Sequence, residues 1–91
     1  MIKIIYEPSM YRAAAYDDEK LIGKSTYSKS DKLWVIDQTF VESKYGGQGI
    51  ATNLVAKLVD EARSNNIKII PLCPFVKKEF ENKKEYADVL A

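Results

Sequence analysis

The chain has 91 residues, 46% hydrophobic and 30% charged, with 14 basic against 13 acidic side chains and a net charge of +1. That size and mix describe a single globular domain over residues 1–91 with a modest core, and near-neutrality excludes the basic face that nucleic-acid binding requires. One cysteine excludes an intrachain disulfide, the lack of histidine leaves no Cys/His set for a metal, and no apolar run nears the roughly 20 residues that cross a bilayer.

The opening Met1-Ile2-Lys3-Ile4-Ile5-Tyr6-Glu7 is too short and too soon acidic for a signal peptide, so a cytoplasmic location is expected. Ile2 to Tyr6 predicts a first strand, ended by Pro8. Tyr11 to Tyr16 predicts a second, although Ala13-Ala14-Ala15 has weak strand propensity. Asp17 to Lys20 is a polar turn, Leu21 to Tyr27 a third strand containing Gly23, and Ser28 to Lys32 another polar turn. Leu33 to Val41 is the fourth strand, and the short turns imply an antiparallel meander.

A glycine-rich segment follows, Lys44-Tyr45-Gly46-Gly47-Gln48-Gly49-Ile50-Ala51. Beyond it Ile50, Leu54, Val55, Leu58, Val59 and Ala62 recur at helical spacing, with Lys57, Asp60, Glu61 and Arg63 on the wet side and Asn65-Asn66 as the stop. Ile67 to Leu72 predicts a strand, parallel to the fourth because a helix connects them. Pro74 to Asn82 predicts a short helix with proline in its first turn, and Lys83 to Ala91 a turn or short helix. The sum is an α+β fold with a mostly antiparallel, mixed sheet.

Strand, glycine turn and helix together aim free backbone N–H groups at an anion, and the glycines permit close approach and positive φ. A phosphate-bearing ligand is expected there. A Walker A loop is excluded because Ala51, Thr52 and Asn53 stand where its Gly-Lys pair would fall. A dinucleotide fingerprint is excluded because Thr52 holds its third glycine place.

The spacing Lys44-x-x-Gly47-x-Gly49, then Ile50-Ala51, resembles the pyrophosphate loop Q/R-x-x-G-x-G/A of the GCN5-related N-acetyltransferases (the GNAT superfamily). It departs at Lys44, in place of Gln or Arg, and at Gly46, where many members carry Arg. Ile67 to Lys78 with Glu85-Tyr86-Ala87-Asp88-Val89 is similar to a branch of very small single-domain members, the YjdJ-like group. The resemblance covers about Trp34 to Val89. It implies an acetyltransferase using acetyl-CoA and no metal, on a small-molecule or protein amine acceptor. Gly46, Gly47, Gln48, Gly49, Ile50 and Ala51 would bind pyrophosphate, with Lys44 beside them and Phe75 on the cleft wall. The pantetheine arm would pair with the backbone of Gln38, Thr39, Phe40 and Val41 where two parallel strands splay apart. Neither nucleic acid nor membrane is expected as a partner, and the chain is expected as a monomer or weak homodimer.

Acetyl transfer needs an aligned thioester, an oxyanion donor and a proton for the departing thiolate. Backbone N–H groups near Phe40 and Val41 suit the oxyanion. Cys73, between a strand and a helix N-terminus, suits a nucleophile or a reaction-centre wall, although a lone cysteine also serves as a small core residue. The branch pairs that cysteine with a histidine in a His-Thr step. Here the step is Gln38-Thr39, and Gln38 hydrogen-bonds without titrating. Asp37, Glu42 and Glu7 are further acid–base candidates, and Tyr86 a proton donor to the thiolate or an aromatic anchor. Trp34, Phe40 and Phe75 read as core or cleft wall, and Lys77-Lys78 as solvated lysines. Two other readings stand beside the enzyme: an acetyl-CoA-binding module without efficient turnover, and a thiol-based sensor at Cys73.

Overall fold

The computed structural model describes residues 1–91. Five strands lie side by side in chain order: β1 (Ile2–Glu7), β2 (Arg12–Asp17), β3 (Lys20–Ser30), β4 (Leu33–Val41) and β5 (Lys68–Pro71). The first four form an antiparallel meander, and β5 joins β4 in parallel. Helix α1 (Ile50–Ser64) makes that crossover, and α2 (Pro74–Asn82) follows β5. The expected fold class and parallel pair are therefore observed.

Two boundaries move for identifiable reasons. Ser28–Ser30, expected as a turn, extends β3, because these residues pair with Val35, Trp34 and Leu33. The turn shrinks to Asp31-Lys32, with Asp31 at positive φ. Tyr11, expected in the second strand, instead has φ 54° and closes a 3-10 turn over Pro8–Met10. Further 3-10 turns, at Ser43–Tyr45 and Lys84–Val89, flank the helices.

Helix α1 buries Ile50, Leu54, Val55, Leu58, Val59 and Ala62 against one face of the sheet, where it meets Ala13, Ala15, Ile22, Tyr27, Trp34, Ile36 and Ile69. Val76 of α2 and Tyr86 and Val89 of the C-terminal turn join the same core. The small side chains of β2 let the helix lie close, which outweighs alanine's poor strand propensity. Trp34 stacks on Tyr27 with centroids 4.1 Å apart, and the buried Ser25 hydroxyl is satisfied by Thr39 at 3.0 Å. On the opposite face Ile5, Gln38, Phe40 and Ile70 reach solvent.

Gly23 marks the tightest contact in the sheet. A Cβ there would stand 3.0 Å from the Phe40 carbonyl oxygen, 3.2 Å from Val41 Cγ2 and 3.5 Å from Leu54 Cδ1. A backbone oxygen cannot yield as a side-chain tip can, so Gly23→Ala is expected to lower the unfolding free energy by about 1–3 kcal/mol. Urea denaturation checks this, and an unchanged midpoint would contradict it.

Candidate functional site

Strands β4 and β5 pair only from Leu33 opposite Lys68 to Ile36 opposite Pro71. Leu72, directly after β5, is the last donor in step with the ladder, four residues on from Lys68, whose N–H bonds the Lys32 carbonyl. The N–H groups of Leu72 and Cys73 both turn to the Ile36 carbonyl, at 3.0 and 3.1 Å, and Pro74 starts α2. On β4, Asp37 is the additional residue of a β-bulge, since Ile36 pairs with Tyr27 but Gln38 with Thr26. A bulge bends its strand and re-aims side chains. The two strands therefore part at Ile36, and β4 runs on to Val41 without a partner on that side.

At the far end of β4 the chain turns through Ser43–Tyr45 into the glycines. Gly47 and Gly49 have φ 78° and 75°, and a Cβ on either would meet nothing within 4 Å. Gly49 caps α1 with no side-chain hydrogen bond, and the first backbone donor to find an acceptor is Asn53, bonded to the Gly49 carbonyl at 3.0 Å. No N–H from Gly47 through Thr52 has an acceptor within the protein. All of these residues except Gln48 line a cavity of about 210 Å³, together with Val41, Tyr45, Gly46 and Phe75. It is below the few hundred Å³ of a pocket that encloses a whole drug-sized ligand, and suits one anionic group at the positive end of the helix dipole. A larger groove of about 620 Å³, among Tyr6, Tyr11, Trp34, Glu61 and Asn65, lies at the C-terminal end of α1, where the dipole disfavours anions.

The expected site residues distribute as follows. Val41, Gly46, Gly47, Gly49, Ile50, Ala51 and Phe75 come together around the cavity. Gln48 and Lys44 do not line it; both are exposed, and Lys44 Nζ sits 5.6 Å from the Tyr45 ring centroid. Gln38, Thr39 and Phe40 lie on the free arm of β4, with Gln38 and Phe40 facing solvent and Thr39 turned inward to Ser25. Cys73 stands at the vertex, half-buried, with a free thiol. Tyr86 is not brought to the cavity. It packs on Phe80 with centroids 5.4 Å apart, beside the stretch that Arg63 holds through the Glu85 carbonyl and the Asp88 carboxylate. Arg63 is in the last turn of α1, and that helix of 15 residues separates its two ends by about 22 Å. Burial is the main influence on the Tyr86 hydroxyl and raises its pKa, as suits an anchor for the C-terminal turn.

Among the carboxylates, Glu7 is taken up by Tyr16 at 2.6 Å and Arg12 at 2.7 Å, and Glu42 pairs with Lys20 at 3.4 Å. Asp37 accepts hydrogen bonds from Thr26 Oγ1 at 2.9 Å and Ser28 Oγ at 3.3 Å and stays exposed. No group of three or more metal-ligating side chains is found, and no helix is long and apolar enough to cross a membrane.

Thr52 and Tyr45 complete the cavity, and neither was expected from the sequence. Thr52 is the next N–H of the helix's first turn, which the glycine spacing implies once the helix start is fixed. Tyr45 carried no such signal. It is nearly buried, and its hydroxyl donates to Asp17 Oδ2 at 2.6 Å, clamping the loop to the β2–β3 turn.

Against that geometry, the sequence profile of the GCN5-related N-acetyl-transferases matches residues 11–89. The chain belongs to the GCN5-related N-acetyltransferase family, and so to the acetyltransferases. A GCN5-like protein of Staphylococcus aureus, solved in solution by NMR, shares 34% identity over 98% of this chain and 87% of its own, with a TM-score of 0.77. A ribosomal-protein-alanine N-acetyltransferase from Brucella melitensis biovar Abortus shares the fold at 23% identity and a TM-score of 0.62, over 78% of this chain and 60% of its own. An acetyltransferase-family structure from Desulfovibrio desulfuricans does so at 15% and 0.61, over 78% and 52%. This GNAT chain thus spans little more than half the length of those two. No curated protein matches its sequence.

The clamp between Tyr45 and Asp17 is open to titration. The Tyr45 hydroxyl, and then the N-terminal ammonium at 3.2 Å, hold the Asp17 carboxyl below its ordinary range. A depressed folded-state pKa contributes stability that is present above the unfolded carboxylate value and lost as pH falls through the folded one. Tyr45→Phe is expected to raise the Asp17 pKa, read by carboxyl-carbon NMR, and to narrow that acid window. An Asp17 pKa at or above the free-carboxylate value in the parent protein would contradict the clamp.

Proposed function

We propose that this domain transfers an acetyl group from acetyl-CoA to an amine. The supporting observation is the row of unpaired N–H groups from Gly47 to Thr52 around an open cradle. Such a row at a helix N-terminus complements a pyrophosphate without needing cationic side chains, so replacement of the family's usual Gln or Arg by Lys44 leaves the mechanism intact. The open space where a Cβ on Gly47 or Gly49 would stand is what a phosphate oxygen needs to reach the backbone.

The free edge of β4 supplies the second element. Beyond Ile36 the strand has unshared backbone donors and acceptors on its β5 side. An amide-bearing pantetheine arm would pair there as a strand does, carrying the thioester from the pyrophosphate cradle toward the vertex. Backbone N–H groups near Phe40 and Val41 would stabilise the oxyanion of the tetrahedral intermediate, because preorganised donors act on charge that develops in the transition state.

The amine then attacks the thioester carbon directly. The carbon–nitrogen bond forms, the carbon–sulfur bond breaks, and CoA leaves as thiolate. The thiolate takes up a proton, and the amine nitrogen releases one to water or to a nearby base. Cys73 is written as a wall of this centre and not as an acyl carrier, since the chain holds no histidine to activate it.

Gly47→Val is expected to weaken acetyl-CoA binding at least tenfold by calorimetry, both by filling the cradle and by straining a positive-φ position. Circular dichroism establishes that the variant is folded, and unchanged affinity in a folded variant would contradict the assignment. Cys73→Ala is expected to keep acceptor-dependent CoA release within about tenfold of the parent; its complete loss in a protein that still binds acetyl-CoA would place the thiol in the reaction.

A further inference from the structure

The acceptor's chemistry can be read from what surrounds the strand gap, an inference that rests on the acetyl-transfer reading above. Four large apolar side chains exposed to water belong to the segments that bound the gap: Phe40 is 49% exposed, Leu72 56%, Ile70 38% and Phe75 37%. Register assigns three of them to one side. Thr39 pairs with the buried Ser25 and faces α1, so Gln38 and Phe40 point to the opposite face. Ile69 is buried against the core, so Ile70 and Leu72, at alternate positions, share the face of Phe40. The pyrophosphate cradle lies at the end of α1, on the other side of the sheet. The solvent-facing side of the gap therefore carries Phe40 on the free arm of β4 and Ile70 and Leu72 at the end of β5, an apolar rim.

Charge on this rim is sparse and ordered. The bulge at Asp37 aims its carboxylate to the same face, where Thr26 and Ser28 hold both oxygens while leaving the group exposed. At the other end, Lys24 is directly opposite Phe40 in the register and so shares its face. Glu7 and Glu42 are already paired with Arg12 and Lys20. One free carboxylate beside an apolar rim, with a lysine at its far end, matches a single ammonium on an apolar body. It does not match a polycation, whose second ammonium would meet Lys24.

We propose that the acceptor is a monoamine with a hydrophobic body, an arylalkyl or alkyl primary amine, entering from the solvent-facing side of the gap. The body rests on Phe40 and Leu72, and Asp37 receives the ammonium before it loses its proton and attacks. Asp37 is the specificity-determining residue for charge, and the apolar rim sets the preference for length. Each methylene added to a short alkylamine strengthens binding by up to about fourfold until the rim is covered.

The test is an amide NMR titration of the CoA-loaded protein with 2-phenylethylamine, ethylamine, spermidine and 3-phenylpropionate. 2-Phenylethylamine is expected to move Asp37–Phe40 and Ile70–Cys73 and to bind at least tenfold more tightly than ethylamine, with spermidine and the anion weaker still. Asp37→Asn, which can keep the Thr26 and Ser28 contacts, is expected to cost at least fivefold in amine affinity, and Phe40→Ala a similar factor. Spermidine or phenylpropionate binding as well as phenylethylamine, no preference over ethylamine, or no amine shifts in this region would each overturn the proposal. CoA loading is read separately at Gly47–Thr52, so failure of the acceptor assignment is distinguishable from failure of the cradle.

Discussion

The parting of β4 and β5 at the Ile36 carbonyl is the constraint on which the remaining architecture depends. That oxygen accepts from both Leu72 and Cys73. Leu72, directly after β5, is the last residue in step with the ladder, and Pro74 commits the chain to a helix immediately afterwards. The bulge at Asp37 works from the other strand, bending β4 away at the point where β5 ends. Continuous pairing would have closed this edge. The result instead is a strand with one edge unshared, the natural partner for an extended ligand carrying amides.

The second consequence is positional. Because β4 continues past the vertex, the chain reaches the glycine loop beyond the end of β5 and starts α1 there. The helix dipole and its unpaired N–H groups thus face the same opening as the free strand edge. Tyr45 keeps the loop in place through Asp17, although its hydrogen bond lies on the outer rim of the protein. Gly23 allows Phe40 and Val41 of β4 and Leu54 of α1 to pack closely on β3 just before the loop. Stability and function meet here, since the glycines that loosen the loop are compensated by a tightly packed base under it.

Much of this was legible in the sequence, and the parts that were not share a cause. The period of α1, the strand alternation and the glycine spacing are local patterns, each fixed by backbone geometry over a few residues. Gly47 and Gly49 stood out because positive φ at a helix start leaves few alternatives. The extension of β3 through Ser28-Lys29-Ser30 was hidden because a polar edge segment looks like a turn until Leu33-Trp34-Val35 is known to pair with it. Tyr45 was missed because its partner is 28 residues away, and Tyr86 was readable as an aromatic anchor of the C-terminal segment but not as one packed on Phe80. The end of β5 was available in principle in Pro74, which starts a helix, although the bulge at Asp37 was not, since nothing in Ile36-Asp37-Gln38 distinguishes a bulge from regular strand.

The central claim is that backbone N–H groups of the loop and the free arm of β4 receive acetyl-CoA together. An amide NMR titration of the isotope-labelled protein with acetyl-CoA tests it most directly. The account predicts saturable shifts concentrated at Gly47–Thr52 and Asp37–Val41, with the β1–β2 hairpin undisturbed. Absence of shifts at millimolar acetyl-CoA, or shifts centred on the groove at the C-terminal end of α1, would contradict it.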